Sequence, residues 1–130
     1  MTNRILIIDD DAQIREMLSL ALEMNGYQVY TASDGQDGIR QMYDNRPDLV
    51  ITDLNMPGMN GYQFSKTARL MSDVPIIMMS GSEEQLEKML VIKLLGNEID
   101  DFLTKPIDIK MLLECVAQLM SVMSPDEVHA

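Results

Sequence analysis

The sequence predicts an α/β fold, a doubly wound parallel sheet of five strands with helices on both faces. Two observations carry this. Short, unbroken apolar runs recur along the chain, as strands buried on both faces of a parallel sheet require. Between them lie segments with the 3.6-residue period of amphipathic helices, and alternation of this kind packs helices onto both faces of one sheet.

The first run is "ILII", residues 5–8. A helix follows over 12–25, with Ile14, Met17, Leu18, Ala21 and Leu22 at i, i+3, i+4, i+7 and i+8 and Gly26 as its C-cap. A weaker, alternating run, "YQVYTA" (27–32), gives the second strand. A more polar helix over 35–45 carries Ile39 and Met42. "LVI" (49–51) is the third strand, and the helix after it, over 61–71, holds Phe64, Ala68 and Met71. "VPIIMM" (74–79) and the short "FL" (102–103) complete the sheet, with helices over 83–95 and 107–122 behind them. One domain is expected over residues 1–123, followed by a flexible polar tail, "SPDEVHA", at 124–130.

The composition of this 130-residue chain, 46% hydrophobic and 24% charged, is that of a globular protein with a core of its own. No apolar run approaches the roughly 20 residues of a membrane span, and the N-terminus lacks the apolar stretch of a signal peptide. A cytoplasmic protein with no membrane partner is expected. The single cysteine, Cys115, excludes an intramolecular disulfide and reads as a small buried hydrophobe. His129, in the tail, is a poor place for a catalytic or metal-binding histidine. The net charge of −11, with ten scattered basic residues, argues against direct nucleic-acid binding.

Part of that acidity is concentrated. In a doubly wound sheet, ligands bind at the carboxyl ends of the strands where the strand order reverses, which in the flavodoxin-like order 2-1-3-4-5 lies between strands 1 and 3. Strand 1 runs into Asp9, Asp10 and Asp11, and strand 3 runs into Asp53. Asp11 is placed to cap the helix beginning at Ala12. Capping explains the type of the other acids but not their shared location. Clustered carboxylates resist ionisation unless a cation joins them, and an oxygen-only set suits Mg²⁺. Strand 4 brings the Ser80 hydroxyl to the same rim and strand 5 brings Lys105, followed by Pro106 in an X-Pro pair that can be cis. A hydroxyl, an ammonium and Mg²⁺ facing one carboxylate can neutralise three phosphoryl oxygens. Asp53, central among the acids, is the candidate nucleophile for an aspartyl phosphate.

With these residues in place, the chain resembles a response-regulator receiver domain of two-component signal transduction. "LIIDDD", "VITDLNMPGMNGY", "IIMMSG" and "DFLTKP" occur in order over about residues 4–120. The resemblance implies a signalling domain and not an enzyme on other substrates. Asp53 would accept a phosphoryl group from a phosphohistidine on a sensor histidine kinase or a histidine phosphotransfer protein. Mg²⁺ would be bound by Asp10 with help from Asp9, by Asp53, and by the backbone carbonyl of Asn55, which the "MPGMNG" turn presents. Lys105 would pair with the phosphoryl group, Ser80 would swing towards it, and Phe102 would turn inward in response. Gly81 stands where alanine is usual, and "LGNEIDD" replaces the shorter "AGADD".

The fourth and fifth helices are apolar around more than one stripe: Leu86, Met89, Leu90, Val91, Ile92, Leu94 and Leu95 in one, Met111, Leu112, Leu113, Cys115, Val116, Leu119, Met120, Val122 and Met123 in the other. Wide core faces account for some of this. The resemblance implies that the surface of helix 4, strand 5 and helix 5 also meets a downstream target protein or a second copy of the chain. The thirteen methionines read as adaptable packing, not as metal ligands. Three other functions fit less well. A haloacid-dehalogenase-type phosphohydrolase would need a second aspartate two residues beyond Asp53, where Asn55 stands. A flavodoxin-like cofactor binder would need a Gly/Ser/Thr-rich loop in place of "DDDAQ". A pseudo-receiver, an interaction module never phosphorylated, would not need the full set of acidic, hydroxyl and ammonium groups.

Overall fold

The computed structural model describes residues 3–96 and 98–123. Ten elements alternate: β1 (Arg4–Ile8), α1 (Ala12–Met24), β2 (Gln28–Ala32), α2 (Gly35–Asn45), β3 (Leu49–Asp53), α3 (Gly61–Met71), β4 (Ile76–Ser80), α4 (Glu83–Leu95), β5 (Asp101–Thr104) and α5 (Ile109–Met123). The sheet is parallel throughout, in the order β2-β1-β3-β4-β5, as the alternation predicts. The expected tail, 124–130, with His129, lies outside the described residues, as do the side chains of Leu95, Val122 and Met123.

Period-two alternation along buried strands divides the core. Leu6, Ile8, Val50, Ile76 and Met78 face one cluster, closed by Met42 of α2, Phe64 and Ala68 of α3, and Met89 of α4. Ile5, Ile7, Leu49, Ile51, Ile77 and Met79 face the other, closed by Leu18 and Leu22 of α1 and by Leu112, Cys115 and Val116 of α5. The burial of β1, β3 and β4 on both faces is why those strands read as unbroken apolar runs, while the edge strand β2 alternates and is only half covered.

Three details differ from expectation. Met17, placed on the apolar stripe of α1, is 41% exposed, because the buried line of that helix runs through Leu18 and Leu22. The C-cap of α1 is Asn25, with Gly26 one residue beyond at φ +90°. Helix α5 starts at Ile109, not 107, because Asp108 accepts the Met111 N–H at 3.2 Å and so fixes the first turn. The two apolar helices also differ from each other. α5 buries Leu112, Cys115 and Val116 and leaves Met111 exposed, whereas α4 buries Met89 and leaves Leu90, Val91 and Leu94 exposed.

Candidate functional site

The carboxyl ends of β1, β3, β4 and β5 surround one crevice. Asp9 follows β1 and is fully buried, Asp10 beside it is exposed, and Asp53 is the last residue of β3. The β1–α1 turn is held by its own polar groups. Asp11 N–H donates to Asp9 Oδ1 at 2.9 Å, and Asp11 Oδ1 accepts from Gln13 N–H at 2.9 Å, capping α1 as expected. Arg15, one turn into α1, donates from Nη1 to the Asp9 carbonyl at 2.7 Å.

The segment after Asp53 turns twice. Gly58 takes φ +74°, a conformation costly for residues with a Cβ. Gly61 opens α3 against the end of β3: its N–H donates to the Leu54 carbonyl at 2.8 Å, and a Cβ there would stand 2.2 Å from the Asp53 carbonyl oxygen. The Pro-Gly and Asn-Gly pairs of this loop thus serve one turn and one close approach directly behind Asp53. Asn60 and Gln63 form a reciprocal capping box at the start of α3.

Lys105, after β5, precedes a cis bond to Pro106. Its ammonium donates to Asp9 Oδ2 at 2.9 Å and stands 3.3 Å from Asp53 Oδ1. Asp53 is 5% exposed. Burial pushes its carboxyl up to about 6; the Lys105 ammonium pulls against this, and the neighbouring charges of Asp9 and Asp10 add to the rise. Burial alone would lower Lys105, but its bond to Asp9 and the charges of Asp53 and Asp9 outweigh this and hold the ammonium above its ordinary value.

Carboxylate oxygens of Asp9, Asp10 and Asp53 all lie within 4.8 Å of one another. This set is oxygen-only, negatively charged and open to solvent on the Asp10 side, which fits a hard divalent cation such as Mg²⁺. The crevice therefore joins four of the predicted residues: Asp9, Asp10, Asp53 and Lys105. Asn55 is exposed two residues beyond Asp53 and lines a groove of about 620 Å³ with Tyr62, Gln85 and Ile92.

Ser80 ends β4 on the same rim and is buried, but its hydroxyl points along the β4–α4 loop. It donates to the Ser82 carbonyl at 2.9 Å and accepts from Ser82 N–H at 3.4 Å. Phe102 lies further back in β5, opposite Met78 in register, half-buried against the α2–α4 side of the core with the Lys93 ammonium 5.4 Å from its ring centre. Gly81, the departure noted in the sequence, does not use a positive φ, and its N–H is bonded to Gln85 Oε1 at 2.8 Å.

Arg15 and Gln85 join the site without belonging to any of the motifs that mark it. A signal for the second is present, since Ser82 followed three residues on by Gln85 spells a capping box. Cys115 is buried as expected and also donates its thiol to Asp101 Oδ2 at 3.2 Å; burial and that carboxylate push it up to about 12.

The sequence matches the response regulator receiver domain family over residues 5–117. Among solved structures, it is similar to a response regulator receiver protein from Pseudomonas putida, with 32% identity over 91% of this chain and 98% of that one and a TM-score of 0.79. It is similar to the chemotaxis response regulator CheY4 of Vibrio cholerae, with 30% identity, 92% and 99% covered, and a TM-score of 0.80. A receiver domain protein from Clostridium thermocellum is 26% identical, with 93% and 96% covered and a TM-score of 0.83.

Proposed function

The chain belongs to the response regulator receiver domain family, and from that membership we propose that it is a phospho-accepting switch with Asp53 as the acceptor. The observation that carries this reading is the setting of Asp53: a buried carboxylate 3.3 Å from the Lys105 ammonium, within 4.8 Å of two further carboxylates. The donor is a phosphohistidine on a sensor histidine kinase or a histidine phosphotransfer protein. An Asp53 carboxylate oxygen bonds to phosphorus as the P–N bond breaks, and the electron pair stays on the ring nitrogen, so a ring protonated on its other nitrogen leaves as neutral imidazole.

Each neighbour has a part. Asp9, Asp10, Asp53 and the Asn55 carbonyl would hold Mg²⁺, which supplies charge neutralisation for the phosphoryl oxygens. Lys105 orients and neutralises the group from the β5 side. Asp9 keeps that ammonium in the crevice, and Arg15 fixes the backbone from which Asp9 projects. Ser80 exchanges its bond to Ser82 for one to the phosphoryl group, and Phe102 follows. The surface biased by this change is that of α4, β5 and α5, where Leu90, Val91 and Leu94 are exposed to meet a target protein or a second copy. The domain works in the cytoplasm on its own acyl phosphate, not as an enzyme with a separate substrate. None of the described helices is long and apolar enough to cross a membrane.

Incubation with acetyl phosphate and Mg²⁺ followed by intact mass measurement tests the reading. One phosphoryl adduct is expected, absent in Asp53→Asn and in the presence of a chelator. An adduct that persists in Asp53→Asn would reassign the acceptor.

A further inference from the structure

Two helices open with the same device, differing in one bond. At α3 the capping box is reciprocal: Gln63 N–H donates to Asn60 Oδ1 at 2.8 Å, and Asn60 N–H donates to Gln63 Oε1 at 2.9 Å. At α4, Ser82 and Gln85 hold the equivalent positions, and Gln85 N–H donates to Ser82 Oγ at 3.2 Å. The return bond is displaced by one residue. Gln85 Oε1 accepts from Gly81 N–H, while Ser82 N–H, its ordinary partner, is turned onto Ser80 Oγ. Gly81 sits between Gln85 and Lys105: a Cβ built on it would lie 3.8 Å from Gln85 Oε1 and 3.9 Å from Lys105 Cδ.

Two backbone donors, Gly81 and Ser82, are therefore served by two side-chain oxygens, those of Gln85 and Ser80. We infer that Gln85 is a positioning residue that passes its acceptor from one donor to the other. When the Ser80 hydroxyl turns away from the loop, Ser82 N–H loses its partner and is left to a side-chain acceptor or to water. Gln85 then closes the ordinary capping box on Ser82 N–H, as Gln63 does on Asn60, and Gly81 N–H is released as a free donor beside Lys105. The exchange keeps the start of α4 bonded throughout, so the hydroxyl departs without unwinding the helix. The inference rests on the proposed movement of Ser80 and names the residue that permits it.

The test removes the hydroxyl without phosphoryl chemistry. In Ser80→Ala, amide hydrogen exchange followed by NMR is expected to quicken at Gly81 by roughly 5- to 10-fold, with Ser82 within about twofold of the parent, the pattern of one hydrogen bond moved and not lost. In the double variant Ser80→Ala, Gln85→Ala both amides exchange fast. With Gln85→Glu in its place, which keeps the acceptor and the helix start, the Ser80→Ala pattern returns. Undiminished protection of Gly81 in Ser80→Ala, with or without exposure of Ser82, overturns the relay. Failure of the parent protein to gain a phosphoryl adduct would instead overturn the role of Asp53, and the exchange data would still decide the role of Gln85.

Discussion

Lys105 is nearer to Asp9 than to Asp53: its ammonium lies 2.9 Å from Asp9 Oδ2 and 3.3 Å from Asp53 Oδ1. Asp53 thus shares its cation with a fully buried competitor, and burial leaves it with a carboxyl raised to about 6. A raised folded-state value means that the protonated form is favoured. Stability linked to Asp53 is fully present below its ordinary value of 3.8 and is lost as pH rises through about 6. The difference, 6 − 3.8, corresponds to about 3 kcal/mol at neutral pH, as an upper bound. Asp53→Asn also takes a partner from Lys105, so the expected gain in metal-free urea unfolding at pH 7.5 is about 1–2 kcal/mol, shrinking towards pH 4. A variant less stable than the parent at pH 7.5 would show that Lys105 outweighs the burial of the charge.

Magnesium should stabilise the fold through the same crevice. At a free concentration ten times its dissociation constant, a cation bound only by the native state contributes about 1.4 kcal/mol. The midpoint of thermal unfolding should rise with Mg²⁺ in the parent protein, and the rise should need higher concentrations in Asp10→Asn. An identical titration in the two proteins would remove Asp10 from the ligand set.

The two glycines behind Asp53 should respond differently to alanine. Gly61→Ala drives a methyl to 2.2 Å from the Asp53 carbonyl, so the backbone of β3 or α3 must move. A cost of about 2–4 kcal/mol is expected, together with loss of Mg²⁺ response. Gly58→Ala meets nothing within 4 Å and suffers only its φ of +74°, which costs about 1 kcal/mol. Chemical denaturation ranks the pair, and equal costs would contradict the close approach at Gly61.

Cys115 should be a slow nucleophile. Pushed up to about 12 by burial and by Asp101, its thiol stays protonated at pH 8, and alkylation by iodoacetamide should be at least about 100-fold slower than in the urea-unfolded chain. The sign for stability is that of a raised group: its contribution is complete below the ordinary value of 9.0 and is lost as pH climbs to about 12. Native-state labelling as fast as in urea would place the thiol at the surface.

Much of this was legible in the sequence because the fold writes itself in burial. Strands covered on both faces leave unbroken apolar runs, and the acids at their ends share a crevice because a parallel sheet points every carboxyl end the same way. What stayed hidden depends on one side chain meeting one particular backbone group. Arg15 reaching the Asp9 carbonyl and Cys115 reaching Asp101 follow from register and rotamer, which periodicity does not encode. The exposed side of α4 was hidden for the opposite reason. With apolar residues around its whole circumference, no phase distinguishes buried Met89 from exposed Leu90 and Leu94.

The division of the core by the sheet has a spectroscopic consequence. Met78 and Met79 are neighbours in the chain and both fully buried, yet their side chains enter opposite clusters. Met42, Met56 and Met89 report with Met78 from the side of α2 to α4, and Met120 reports with Met79 from the side of α1 and α5. Methyl labelling of methionine alone therefore places resonant probes on both sides of the sheet. A signal arriving at the crevice can be followed as it spreads into one half of the interior, the other, or both.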